Sequence, residues 1–97
     1  MAKSKQDIIS DIAACFKGMA YKNCYVGITS DVQSRLFGDH KVSKENGRWI
    51  YRTASSNSVA REIEQHFLDA GMDGAPGGGD ATSKIVYAYK KTSYTKP

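Results

Sequence analysis

Between Ser4 and Met19 the apolar residues Ile8, Ile9, Ile12, Phe16 and Met19 recur at helical spacing, with Lys3, Lys5, Asp7 and Lys17 on the opposite side. That period predicts an amphipathic helix ending near Gly18. The period then falls to two. In Cys24-Tyr25-Val26-Gly27-Ile28-Thr29 the residues Cys24, Val26 and Ile28 share one strand face, which reads as core, and Tyr25, Gly27 and Thr29 share the other. Ser30, followed three residues later by Gln33, has the spacing of a capping box and opens a second helix. Val32 and Leu36 face inward on it, Arg35 lies beside them, and Gly38 ends or kinks it. His40 to Arg48 is polar and lysine-containing, a loop or a frayed helix end, with a turn at Asn46-Gly47. Trp49-Ile50-Tyr51-Arg52-Thr53 then reads as a second strand.

A Ser/Asn cluster at Ser55 to Ser58 supplies the next N-cap, and Val59, Ala60, Ile63, Phe67 and Leu68 form the stripe of a helix reaching Ala70, stopped by Gly71. From Gly71 to Asp80 there are five glycines and a proline, so that stretch reads as a loop, a lid or a connection, with only Met72 and Ala75 able to pack. Ile85 to Tyr89 is the third strand, with Ile85, Tyr87 and Tyr89 on one face. The order α-β-α-β-α-β, with few strands and short connections, predicts an α/β domain of the α+β kind. Its small mixed or antiparallel three-stranded sheet is flanked by helices, unlike a doubly wound nucleotide fold. With 97 residues there is material for one core, and residues 1–97 are read as a single domain.

Composition narrows the function classes. No apolar run approaches the ~20 residues a membrane-spanning helix needs, and Met1-Ala2-Lys3-Ser4-Lys5 lacks the apolar stretch of a secretory signal, so a cytoplasmic protein with no membrane partner is expected. Cys15 and Cys24 fall in no zinc or redox spacing and read as buried free thiols. Fourteen basic residues against ten acidic ones give +4, a mild excess that suits an anionic partner without requiring one.

Four positions stand out against their patterns. Glu64 falls among Ala60, Ile63, Phe67 and Leu68 instead of on the polar side with Glu62, Gln65 and Asp69. Burying an unpaired carboxylate costs roughly several kcal/mol, so it calls for a cation or a metal ion beside it; the alternative is a stripe-edge glutamate whose head reaches water. Arg35 on the inward side of its helix can fork onto a phosphate or onto Glu64, or else lay its stem along the core edge. Tyr25 and Gly27 put a phenol and bare backbone on one strand face, where an interior glycine marks close approach or a bulge.

The run Asn23-Cys24-Tyr25-Val26-Gly27-Ile28-Thr29, with Arg35 eight residues beyond Gly27, resembles the second half of the GIY-YIG nuclease signature. In that superfamily a Tyr-Ile/Val-Gly strand leads into a helix bearing a catalytic arginine. Ile50 to Thr53, then Ala60, Glu64, Phe67 and Leu68, resembles the family's later strand and helix, in which alanine is followed four residues on by a metal-binding glutamate. The likeness spans about Asn23 to Leu68. No Gly-Ile-Tyr strand precedes Tyr25, where Ala14 and Cys15 lie in a helix instead, and the strand from Ile85 to Tyr89 is the candidate source of the missing tyrosine through Tyr87 or Tyr89. One turn after the arginine, where the family often has histidine or tyrosine, stands Asp39, with His40 five residues on. The family's late asparagine has only Asp80 as a stand-in after Pro76.

The resemblance implies a metal-dependent endonuclease or nicking enzyme. Glu64 would bind one Mg²⁺ or Mn²⁺, Arg35 would hold the scissile phosphate, Tyr25 would position or deprotonate the attacking water, and His40 is a candidate general base. Lys41, Lys44, Arg48 and Arg52, with Gly27 and Tyr87, are candidate substrate contacts. The expected partner is nucleic acid, DNA ahead of RNA, with a homodimer as one source of sequence preference. Two other classes stay open: a catalytically degenerate module of the same scaffold that binds nucleic acid or a protein, and an interaction protein using Trp49, Tyr51, Tyr87 and Tyr89 as an aromatic surface.

Overall fold

A computed structural model describes residues 3–74 and 82–96. Helix α1 spans Lys5–Cys15, strand β1 Cys24–Thr29, a π-helix Gln33–Asp39, strand β2 Trp49–Thr53, helix α2 Asn57–Asp69 and strand β3 Ile85–Lys90, with a short 3₁₀ turn at Tyr21–Asn23. The α+β class and the alternation of helix and strand are as the periodicity predicts. The sheet is wholly antiparallel in the order β1-β3-β2, so the last strand in sequence is the central one. Tyr25 stands opposite Tyr89, and Gly27 opposite Tyr87. Pairing runs unbroken from Cys24–Lys90 to Thr29–Ile85, which leaves no bulge at Gly27.

The two sheet faces have different covers. On one, Cys24, Val26, Ile28, Ile50, Val86 and Ala88 pack against Ile8, Ile12 and Phe16 of the α1 segment and against Ala60, Ile63 and Phe67 of α2. On the other, Tyr25, Tyr87 and Tyr89 pack against Val32, Leu36 and Val42. All six residues of β1 are therefore buried, where strand alternation assigned only every second one to the core. The free edge of β1 is closed by Asp73, whose carbonyl accepts from Val26 N and whose N–H donates to Cys24 O (both 2.9 Å).

Several boundaries differ from the sequence expectation for local reasons. Helix α1 starts at a Ser4 cap but ends at Cys15, because Phe16 leaves helical geometry and Gly18 takes a positive φ of 84°. The second helix is not capped by Ser30: Val32 stands at its cap without a side-chain bond, and just before it Asp31 Oδ1 accepts from Ser34 N, while Thr29 Oγ1 accepts from Asp31 N. Gly38 does not end that helix, which continues through Asp39. In α2, Ser56 is the capping residue, and Gly71 ends the helix with its N–H on Leu68 O and Met72 N–H on Phe67 O, the paired bonds of a Schellman motif. Met72 is buried as expected; Ala75, Pro76 and Asp80 lie outside the described residues.

Candidate active site

The site lies on the sheet face covered by the π-helix. Gly27 is the starting point, because directly opposite it Tyr87 lays its phenol over the bare Cα. A Cβ at that position would meet Tyr87 Oη at 2.5 Å and Cζ at 2.6 Å. The close approach that an interior glycine marks is thus the ring of Tyr87. Tyr25 and Tyr89, the neighbouring cross-strand pair, stack at 5.3 Å between centroids, and Tyr25 lies 6.5 Å from Tyr87.

The π-helix decides where His40 goes. Its i→i+5 bonding, seen in His40 N donating to Arg35 O at 2.9 Å, makes His40 the residue one turn beyond Arg35. Counted in α-helical turns, that position belongs to Asp39; one residue of extra winding transfers it to His40. The histidine is then no loop residue: it is 4% exposed and touches both central tyrosines.

Its hydrogen bonds assign its tautomer. His40 Nδ1 lies 2.8 Å from the Lys96 carbonyl, which can only accept, so Nδ1 carries the proton. Nε2 is left as an acceptor and receives the Tyr87 hydroxyl proton at 2.8 Å. Tyr89 Oη sits 3.0 Å from Nδ1, sharing its proton as a second acceptor. Burial, the main cause, and the nearby Arg35 charge hold His40 below its ordinary value against the opposing Lys96 bond and Asp39, which favours the neutral ring.

Arg35 is half-exposed. Its guanidinium donates to Asp39 Oδ2 at 3.2 Å and lies close enough to the Tyr87 oxygen to act on it by charge and as a donor. Burial alone would lower Arg35; Tyr87 and Asp39 more than reverse this and raise it. Tyr87, 1% exposed, is pushed up to about 12 by burial, against the pull of Arg35. Tyr25 is raised by burial as well, with Arg35 lowering and Asp73 and Glu64 raising it.

Glu64 stands on α2, the helix covering the other sheet face, and its charge raises both Tyr25 and Tyr87 as the smallest of the influences on them. It is 4% exposed, and burial raises its carboxyl above the usual range, partly offset by Arg61. No described residue hydrogen-bonds to its carboxylate, and its oxygens are not sealed from solvent. A carboxylate that takes no hydrogen bond from the described residues and whose oxygens still reach solvent fits a hard divalent cation, which can be held by one or two carboxylates and water. Among the described residues no three His, Cys, Asp or Glu side chains cluster as a metal cage, so any ion would rest on Glu64 and solvent.

Tyr25, Arg35, His40 and Tyr87 are therefore gathered in one place, with Gly27 beneath, while Glu64, on α2, is linked to them only through its charge. The remaining candidates are not gathered there. Arg52 donates to Asp11 on α1 at 2.9 Å, and Arg48 lies by Cys15, both on the α1 side of the sheet. Lys44 stands 4.8 Å over the Phe37 ring, at the Phe37–Trp49 contact. Lys41 is exposed immediately after His40 and takes a positive φ of 59°. The aromatic surface expected of an interaction protein does not exist as such, because Tyr87 and Tyr89 are buried. Both cysteines are free. Sequence reasoning missed Lys96 altogether, for nothing in a polar tail announces that its backbone will fix a histidine tautomer 56 residues away. No helix among the described residues is long and apolar enough to cross a membrane. No family model, curated protein or solved structure matches this chain.

Proposed function

We propose that the protein is a metal-dependent endonuclease or nicking enzyme related to the GIY-YIG nucleases, with the first strand of their signature supplied from the C-terminal side by β3. The observation that carries this is the pairing of Gly27 with Tyr87, which sets a second tyrosine beside Tyr25, next to Arg35 and within the field of Glu64. Ile85-Val86-Tyr87 then stands where Gly-Ile-Tyr would. The π-helix supports the same view, because it puts His40 one turn after the arginine.

The chemistry follows from the proton positions. Tyr87 does not ionise unaided near neutrality, but its proton already points at the free Nε2 of His40. A water attacking the phosphate gives its proton to Tyr87 Oη while Tyr87 passes its own to His40, leaving an imidazolium held by Lys96 O and Tyr87. Tyr25 would position that water, and Arg35 would offset the charge that grows on the phosphate. Glu64 would hold Mg²⁺ or Mn²⁺, and a bound cation supplies Lewis-acid stabilisation of the leaving oxygen. The substrate is nucleic acid, and the site of action the cytoplasm.

One observation favours a non-catalytic nucleic-acid module instead: the Tyr87 hydroxyl is already engaged and its side chain almost wholly covered. Cleavage of supercoiled plasmid, linear duplex and single-stranded DNA and RNA with Mg²⁺ or Mn²⁺ separates the two. Metal-dependent cutting that disappears in folded Glu64→Gln and Arg35→Ala variants is the expected result. Salt-sensitive binding without cutting would move the assignment to the binding module.

A further inference from the structure

We propose that the cavity next to His40 binds one unpaired nucleotide of the substrate strand, base and phosphate together, an inference that rests on the nucleic-acid function above. The cavity has a volume of about 390 Å³, and Lys41, Ser43, Asn46, Lys90, Tyr94 and Thr95 are among the residues lining it. That is room for a nucleoside monophosphate and not for a base pair with its backbones.

It shares a joint with the site. Lys41 follows His40 in the chain and Thr95 precedes Lys96, whose backbone grips His40 at two points: its N–H donates to His40 O and its carbonyl accepts from Nδ1, both at 2.8 Å. Arg35, one turn before His40, and the cavity thus both adjoin that residue, and the nucleotide next to a phosphate held by Arg35 would be the one to occupy the cavity.

The lining has the chemistry of such a unit. Lys41 and Lys90 are exposed cations, and among the described residues no carboxylate pairs with either. Tyr94 is 83% exposed, an unfavourable place for a large ring, yet the turn that presents it is locked. Thr92 N donates to Thr95 Oγ1 at 2.9 Å, that hydroxyl donates back to Thr92 O at 3.1 Å, and Tyr94 N donates to Thr92 Oγ1 at 3.2 Å. An outward aromatic ring on a hydrogen-bonded turn, beside two lysines that no described carboxylate pairs, is the arrangement that stacks a base and holds its phosphate.

The test is an NMR titration of the metal-free protein with a deoxynucleoside monophosphate, and in parallel with inorganic phosphate. The expected result is shifts of the Lys41, Asn46, Tyr94 and Thr95 amides by the nucleotide, weakened about tenfold in Tyr94→Ala and weakened also in Lys90→Ala. Tyr94→Ala removes an exposed ring, so its fold should be unchanged. No shift of these amides up to about 10 mM nucleotide, or equal binding of inorganic phosphate, would overturn the proposal. Because no cleavage is measured, the outcomes separate: a silent cavity in a protein that cuts plasmid removes this inference alone, and a responsive cavity in a protein that cuts nothing removes only the nuclease assignment.

Discussion

Adding one methyl group at Gly27 should disable the site and destabilise the fold, and the size of the effect follows from the geometry. The new Cβ would lie 2.5, 2.6 and 2.9 Å from Tyr87 Oη, Cζ and Cε2, where ordinary contact begins near 3.4 Å, so the ring must retreat by about 0.9 Å. It has nowhere to go without loss: Tyr87 is enclosed, and its hydroxyl bond to His40 Nε2 at 2.8 Å would stretch beyond hydrogen-bonding range. Overpacking costs about 1–3 kcal/mol and stranding a buried polar pair about another 1–3 kcal/mol. Against this, replacing a strand glycine gains roughly 0.5–1 kcal/mol. A net loss of about 1–5 kcal/mol corresponds to a Tm lower by roughly 4–40 °C in a chain of this size. Urea and thermal melts of wild type, Gly27→Ala, Tyr87→Leu and the double variant measure it. In the Tyr87→Leu background all three clashing atoms are gone, and Gly27→Ala should be neutral or slightly stabilising there. A single variant within about 0.5 kcal/mol of wild type, or an equal cost in both backgrounds, would refute the assigned Gly27–Tyr87 contact.

Other consequences can be measured in the same way. The folded protein resists protonating His40, whereas the unfolded chain takes up that proton near the ordinary value, so the His40 contribution to stability is complete above the unfolded value and is lost as pH falls through the window below it. Urea midpoints at pH 8 and pH 5 should differ less in His40→Gln than in wild type. Glu64 has the opposite sign: its raised carboxyl favours the neutral form in the fold, and stability declines as pH rises through its folded value. Glu64→Gln should therefore melt higher than wild type at pH 7 without metal, while losing metal-dependent cleavage. Arg35→Ala should reduce cleavage by about 10²–10³-fold, the usual cost of one transition-state donor, and spectrophotometric titration should show Tyr87 ionising at still higher pH. Arg52→Ala, whose guanidinium faces Asp11 on the other side of the sheet, should leave the cleavage rate near that of wild type.

Much of this architecture is legible in the residues. The stripe Ile8, Ile12, Phe16 and the stripe Ala60, Ile63, Phe67 identify the helices that cover one face, and Glu64 is visible because it interrupts the second of them. Local patterns fall short where a tertiary contact decides. Nothing in Val32 to Asp39 announces π winding, and without it His40 counts as a loop residue instead of the partner of Tyr87. Strand alternation assigns Tyr25 and Tyr87 to one face each but not to each other, because the order β1-β3-β2 is settled by long-range pairing. Lys44 and Arg52 look like free cations in sequence; the Phe37 ring and the Asp11 carboxylate, 41 residues from Arg52, claim them.

The central claim is that β3 supplies the site's second tyrosine, and its most direct test compares plasmid cleavage by wild type, Tyr87→Phe and Tyr89→Phe in Mg²⁺. Both substitutions keep a ring in the core and remove one hydroxyl, but only the Tyr87 hydroxyl lies between His40 Nε2 and Arg35. The account predicts a loss of about 10²-fold or more in Tyr87→Phe with most activity kept in Tyr89→Phe. No cleavage by the wild-type protein, or equal activity in the two variants, would contradict it.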